Sequence, residues 1–399
     1  MAWSCRIAAM GPRSSCTIPQ CLHRFASSPR LERWSVFAST ASIARNVEWS
    51  SALSSKPRVL TLLDSRVGRR VSIAPIVVIG SVVGVVACPV ILVVALARDL
   101  LQRRRRLPTF RLSALVIGAL VIETVSMVLT FLTWISIGFG HLGPVRWRWQ
   151  MHRRSIGWYT RSMLTLITRV LGTKIIWRDH ADLSTGPVIC IARHTSFFDA
   201  VIPATILCQR NNLLAHHIVT HGLRYSPCID IVGHRVPTRF IKRTPGEGSS
   251  ELVPIEQIGS ILDHRSAAII FPEGTFRNPA RFERQIERIN RRRPDLADRA
   301  KTLQHVLPPR THGAYALLQG APTADIVVCA NTGFESFGTI KDIIDHPFAD
   351  TPIIVETWRI PRDQIPQNQD AFNDWLFDQY VIIDNWVSEN TDPGLIETG

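Results

Sequence analysis

The chain has 399 residues and a formal net charge of +14. That length suits one large domain with attachments, and the charge calls for a polyanionic partner, either nucleic acid or an anionic membrane surface. The eight cysteines form no C-x-x-C pair and no zinc spacing, which disfavours a disulfide framework or a zinc module and fits a reducing compartment. There is no Walker loop, G-x-G-x-x-G or G-x-S-x-G, so the P-loop, Rossmann and nucleophile-elbow classes lack sequence support. No known nucleic-acid module organises the basic residues.

Residues 1–70 read as a poor core. They are rich in Ser and Arg, and their only acids are Glu32, Glu48 and Asp64. An organellar transit peptide fits this composition, and so does an extension from a translation start placed too far upstream. Disorder is expected for either.

Residues 71–142 form a two-helix membrane segment. Val71 to Ala97 carries no charge and Leu112 to Phe139 is broken only by Glu123; each exceeds the roughly 20 residues a spanning helix needs. Arginines flank the pair on every side: Arg66, Arg69 and Arg70 before, Arg103–Arg106 and Arg111 between, Arg146, Arg148, Arg153 and Arg154 after. Two simple spans cannot satisfy that distribution, whereas a hairpin entering one leaflet can. Glu123 suits an incomplete or interfacial second helix, or a tilted span whose carboxylate faces a neighbour. Trp147 and Trp149, alternating with Arg146 and Arg148, suit the headgroup layer or packing on the next domain.

Residues 143–399 read as the catalytic domain. Short apolar strands are predicted at Pro187–Ala192, Ala267–Phe271, Asp325–Ala330 and Pro352–Trp358, with a helix over Phe197–Gln209 and a charged helical insertion over Arg281–Gln304, interrupted at Pro294. The predicted fold is α/β, a mostly parallel sheet flanked by helices and preceded by the N-terminal two-helix membrane motif.

Ligands of open α/β sheets bind at the carboxyl ends of strands. The first predicted strand runs into Arg193-His194-Thr195-Ser196-Phe197-Phe198-Asp199. Thr195 or Ser196 can cap the next helix, and Asp199 is close enough to orient the His194 imidazole as a general base. Phe271-Pro272-Glu273-Gly274-Thr275-Phe276-Arg277 follows another strand and suits an anionic ligand. Between them, Lys242 and Arg243 close the run Arg239-Phe240-Ile241-Lys242-Arg243 and can bind phosphate. A surface ion pair and a basic loop are the plainer readings of these two blocks. His217 and His221 stand at helical H-x3-H spacing without an evident third zinc ligand.

Taken together, the blocks resemble the glycerolipid acyltransferase family, the lysophosphatidic acid acyltransferases and their relatives, over about residues 155–340. His194 and Asp199 match its H-x4-D motif, Phe240, Ile241 and Arg243 its F-I-x-R block, and Phe271–Thr275 its F-P-E-G-T block; Pro309-Arg310-Thr311-His312-Gly313 is similar to a P-R-x-x-G stretch of some branches. There are departures. Arg193 stands where the family usually has Asn, Phe276 separates Thr275 from Arg277, and no proline follows Ile326–Asn331.

The resemblance implies an O-acyltransferase. His194, oriented by Asp199, deprotonates the acceptor hydroxyl, and the alkoxide attacks a thioester without an acyl-enzyme. Arg243 binds the acceptor phosphate, with Lys242, Glu273, Gly274, Thr275 and Arg277 completing the substrate site. Backbone N–H groups just after His194 are candidate oxyanion donors. No metal or cofactor is implied; acyl-CoA or acyl carrier protein is the donor substrate. The expected acceptor is a lysophospholipid, above all 1-acylglycerol 3-phosphate, and the expected location is a phospholipid membrane with the catalytic domain on the cytoplasmic side. A CoA-independent phospholipid transacylase and an inactive lipid-binding protein are the alternatives.

Overall fold

The computed structural model describes residues 65–242, 252–337 and 352–391; most of the predicted 1–70 extension lies outside them. Seven strands form one sheet in the order β1-β7-β6-β2-β5-β3-β4. They are β1 (Ile175–Asp179), β2 (Val188–Ala192), β3 (Leu214–Thr220), β4 (Arg239–Ile241), β5 (Ser266–Ile270), β6 (Asp325–Thr332) and β7 (Ile353–Ile360). The strands β6, β2, β5, β3 and β4 are mutually parallel. β7 pairs antiparallel with β6, and β1 runs parallel to β7, so the sheet is mixed but mostly parallel.

The alternation of the strand residues sorts the core into two layers. Val188, Cys190 and Ala192 of β2 face one layer, and Ile189 and Ile191 face the other. The first layer is roofed by α3 (Val145–Leu171) through Ile156, Leu164 and Ile167, and by the helical segment 199–210 through Ile202 and Leu207. The second is roofed by α5 (Leu252–Ser260), α8 (Thr311–Gly320) and α9 (Gln369–Thr391). The charged insertion folds as α6 (Pro279–Arg292) and α7 (Pro294–Lys301), broken at the predicted proline.

The two apolar runs form α1 (Arg66–Leu101) and α2 (Pro108–Ser136), both long and apolar enough to cross a membrane. They are not equivalent. α2 lies along α3: Arg111 Nη1 donates to Leu171 O at 3.2 Å near one end, and the Thr133 and Ser155 hydroxyls meet at 3.3 Å towards the other. A polar stripe, Glu123, Ser126 and Thr130, is buried.

Glu123 neither faces lipid nor pairs with α1. Its Oε1 accepts from Ser226 Oγ at 2.6 Å and Cys228 N at 2.7 Å, closing the N-terminus of α4 (Pro227–Gly233). The same short helix anchors α1, because buried Arg69 donates to Asp230 Oδ1 at 2.7 Å. Arg235 donates to Thr130 O at 2.6 Å. The outer face is apolar, exposing Val82, Val86, Val90 and Val94 on α1 and Val125, Val128 and Leu132 on α2.

Two local readings change. The helix predicted from Phe197 starts at Asp199, without a hydroxyl cap. The stretch holding the H-x3-H spacing is strand β3 as far as Thr220, so His216 and His217 point to opposite faces and helical zinc spacing does not exist there. Burial, the leading cause for each, holds both imidazoles down at about 4.

Candidate active site

Strand pairing brings the sequence blocks to one edge. The carboxyl ends of β2, β5, β3 and β4 lie side by side in the sheet, and His194, Glu273, His221 and Lys242 follow them within three residues. Between β2 and β4 lie three strand spacings, about 14 Å.

His194 Nδ1 lies 2.9 Å from Asp199 Oδ1. Asp199 is fully buried, and its Oδ2 accepts from Thr195 N, from Thr195 Oγ1 at 2.9 Å and from Ser196 N at 2.9 Å. The carboxylate therefore folds the chain 194–199 around itself. It holds the ring with Nδ1 inward, and the His194 side chain is 19% exposed. Ring centroids of Phe271 and Phe276 stand 4.7 and 5.8 Å from the imidazole, and Phe197, an exposed residue, packs on Phe276 at 5.1 Å. Phe276, the residue that separates Thr275 from Arg277, is thus part of an apolar collar around the base.

The backbone N–H groups just after the base are already engaged. Thr195 and Ser196 give theirs to Asp199, and Phe198 N donates to Ser196 Oγ at 3.0 Å. Those three groups are therefore committed to the turn and are not the oxyanion donors expected there. Ser196 is fully buried with its hydroxyl used in that turn, and burial pushes the Cys208 thiol up to about 12, so neither is placed as a nucleophile.

Glu273 also changes role. Against the expected substrate contact, its carboxylate is buried, with Oε1 accepting from His194 N at 2.8 Å and Oε2 from Leu307 N at 3.2 Å. Burial pushes this carboxyl up to about 7, against the pull of Arg193 and the two N–H donors. Gly274 turns the chain with φ +70°, and a Cβ there would stand 3.4 Å from the Arg310 guanidinium. This close approach brings Arg310, the cation of the P-R-x-x-G stretch, beside the F-P-E-G-T turn. Thr275 is half-buried. Arg277 stacks over Phe282 at 4.7 Å, and its buried Nε has no hydrogen-bond partner among the described residues. Lys242 is exposed just past β4; Arg243 lies outside the described residues.

Several supporting residues escaped the sequence reading. Arg193 was visible only as a departure, and so was the missing proline after β6; in the structure the two departures meet. The Arg193 side chain is buried and donates to Asn331 O, to Glu335 Oε1 at 2.6 Å and to His305 O at 2.8 Å, while Asn331 Nδ2 returns a bond to Arg193 O at 3.1 Å. Burial alone would raise Glu335; the Arg193 guanidinium overrides it and holds the carboxyl below its ordinary value. Asp384 of α9 holds the adjoining loop, accepting from His305 N at 2.6 Å and Val306 N at 3.0 Å. No sequence signal marks Asp384, which sits 190 positions from His194 in an unremarkable amphipathic helix.

A strand-end imidazole oriented by a buried carboxylate and walled by aromatic rings has the geometry that general-base chemistry beside an apolar surface requires. Residues 174–328, which contain all three motif blocks, match the family model described as Acyltransferase. No solved structure matches the chain.

Proposed function

We propose that the protein is a membrane-bound O-acyltransferase that moves a fatty acyl group from acyl-CoA, or acyl carrier protein, to the hydroxyl of a lysophospholipid, with 1-acylglycerol 3-phosphate as acceptor and phosphatidic acid as product. The observation that carries this reading is the 2.9 Å His194–Asp199 contact at the end of β2. His194 Nε2 takes the hydroxyl proton, and the acceptor oxygen bonds to the thioester carbonyl carbon. The C–S bond then breaks, and the thiolate leaves with the proton returned by the imidazolium. The collar of Phe197, Phe271 and Phe276 supports an acyl chain beside the base. Lys242, Arg243 and Arg277 are the cations proposed for the acceptor phosphate and for oxyanion charge, with Arg310 beside the F-P-E-G-T turn.

The membrane is the proposed location, with the hairpin lying in one leaflet. α2 follows α3 over most of its length, and α3 roofs the sheet. A bilayer-crossing α2 would carry that roof into hydrocarbon, whereas a hairpin lying in the interface lets α1 and the outer face of α2 contact lipid.

Membranes containing the protein, given labelled lysophosphatidic acid or lysophosphatidylcholine with and without acyl-CoA, test the assignment. The proposal expects diacyl product from lysophosphatidic acid only when acyl-CoA is present. Product without any thioester identifies a transacylase, and lipid binding without turnover identifies an inactive binder; either result overturns the proposal.

A further inference from the structure

A groove of about 440 Å³ runs between α2 and α3, outside the His194 site. Ile122 and Leu166 give it an apolar floor, and Ser162 and Thr165 supply hydroxyls. Arg161 and Arg169 stand at its two ends, about 12 Å apart along the helix. Both arginines are exposed, and among the described residues neither has an ion pair or hydrogen bond. Glu123, the neighbour of Ile122 in α2, is turned away and bound to Ser226 and Cys228. Trp158, 37% exposed, continues the same stripe one turn earlier.

Two unpaired guanidiniums bracketing two hydroxyls over an apolar floor make a cationic site complementary to a phosphodiester with hydrocarbon attached. A soluble phosphate would have no use for the apolar floor, or for a position against the lipid-facing surface of α2. Aromatic and basic side chains together suit the headgroup layer.

We infer that this groove is a docking site for an anionic membrane phospholipid, with the headgroup phosphate held between Arg161 and Arg169 and an acyl chain along Ile122 and Leu166. The lipid is a bound component of the bilayer rather than the acyl acceptor. The inference rests on the membrane-bound reading and adds a lipid preference to it: the hairpin supplies affinity for any bilayer, and the groove supplies the increment for anionic ones.

The test is binding of the full-length protein to phosphatidylcholine vesicles with and without one-third phosphatidylglycerol. Each arginine near an anionic surface contributes on the order of five-fold in affinity, so the pair contributes about 30-fold. Arg161→Gln/Arg169→Gln is expected to lose that anionic increment while keeping its binding to neutral vesicles. Arg161→Lys/Arg169→Lys keeps most of the increment. Arg284→Gln/Lys301→Gln, which removes equal charge from α6 and α7, keeps nearly all of it. Ser162→Glu, placing a carboxylate between the arginines, loses it independently. Melting followed by circular dichroism reports folding of each variant. A wild type indifferent to phosphatidylglycerol, or a folded double variant with the full increment, overturns the inference. Failure of neutral-vesicle binding by the wild type would instead overturn the membrane-bound reading beneath it.

Discussion

The Glu273 carboxylate does not touch the His194 imidazole; it accepts the His194 backbone N–H at 2.8 Å. With its other oxygen on Leu307 N at 3.2 Å, it pins the end of β2 and the 304–307 loop to the F-P-E-G-T turn. An amide at this position offers only one acceptor, so Glu273→Gln sets an NH₂ against one of the two N–H groups. A base displaced by a fraction of an ångström loses roughly ten- to a hundred-fold in rate, and kcat of this variant should fall by that factor with little change in KM.

The same residue sets a pH dependence of stability. Burial raises the folded carboxyl to about 7 from an ordinary 4.5, so the folded state holds the proton more tightly than the unfolded chain. The resulting stabilisation is complete below about 4.5 and is lost as pH rises through 7, a change on the order of 3 kcal/mol. Wild-type melting temperature should decline across that window in detergent, whereas Glu273→Gln should show a flatter profile.

Asp199 receives the Thr195 and Ser196 backbone N–H groups on one oxygen and the imidazole on the other. Asp199→Asn can keep the backbone contacts, but its NH₂ then faces Nδ1. That forces the proton onto Nε2 and removes the base. A loss on the order of 10²- to 10⁴-fold in kcat is expected, with melting shifted much less than in Asp199→Ala, which abandons the turn as well.

At the end of β6 Arg193 bridges the Glu335 carboxylate, 2.6 Å away, and the carbonyls of Asn331 and His305. Restoring the family's usual asparagine with Arg193→Asn should therefore destabilise this chain rather than improve it, by about 1–3 kcal/mol, because Glu335 and two carbonyls lose their donor. A double-mutant cycle of Arg193→Ala and Glu335→Ala should show strongly non-additive losses in melting. Additivity would mean that the pair is not coupled.

Glu123 ties α2 to α4 through Ser226 Oγ and Cys228 N. Glu123→Ala should cost about 0.5–2 kcal/mol, as for loss of a helix cap. It should also quicken proteolysis at the α2–α3 connection. An unchanged melting temperature would mean that the hairpin is held by apolar packing alone.

The sequence showed the site more fully than the scaffold that holds it. β2, β5, β6 and β7 are buried apolar runs and were readable as such, and their connections placed His194, Asp199 and Glu273 at one sheet edge. β3 was hidden because His216 and His217 interrupt its apolar pattern, and β4 because it has three residues. Polar side chains whose partners are distant in sequence were also unreadable. Glu123 reads as a flaw in a membrane helix until Ser226 is seen beside it. Arg193 reads as a mismatch until Asn331 and Glu335 supply its acceptors. Glu273 could be placed at the site, but only the structure shows its carboxylate turned to the backbone.

The most direct test of the central claim is acyl transfer from acyl-CoA to labelled lysophosphatidic acid by wild type beside His194→Ala, at matched amounts of folded protein. General-base catalysis by His194 predicts diacyl product from the wild type and a loss on the order of 10²- to 10⁴-fold in the variant, with acyl-CoA binding retained. A folded His194→Ala enzyme with wild-type turnover would contradict the account.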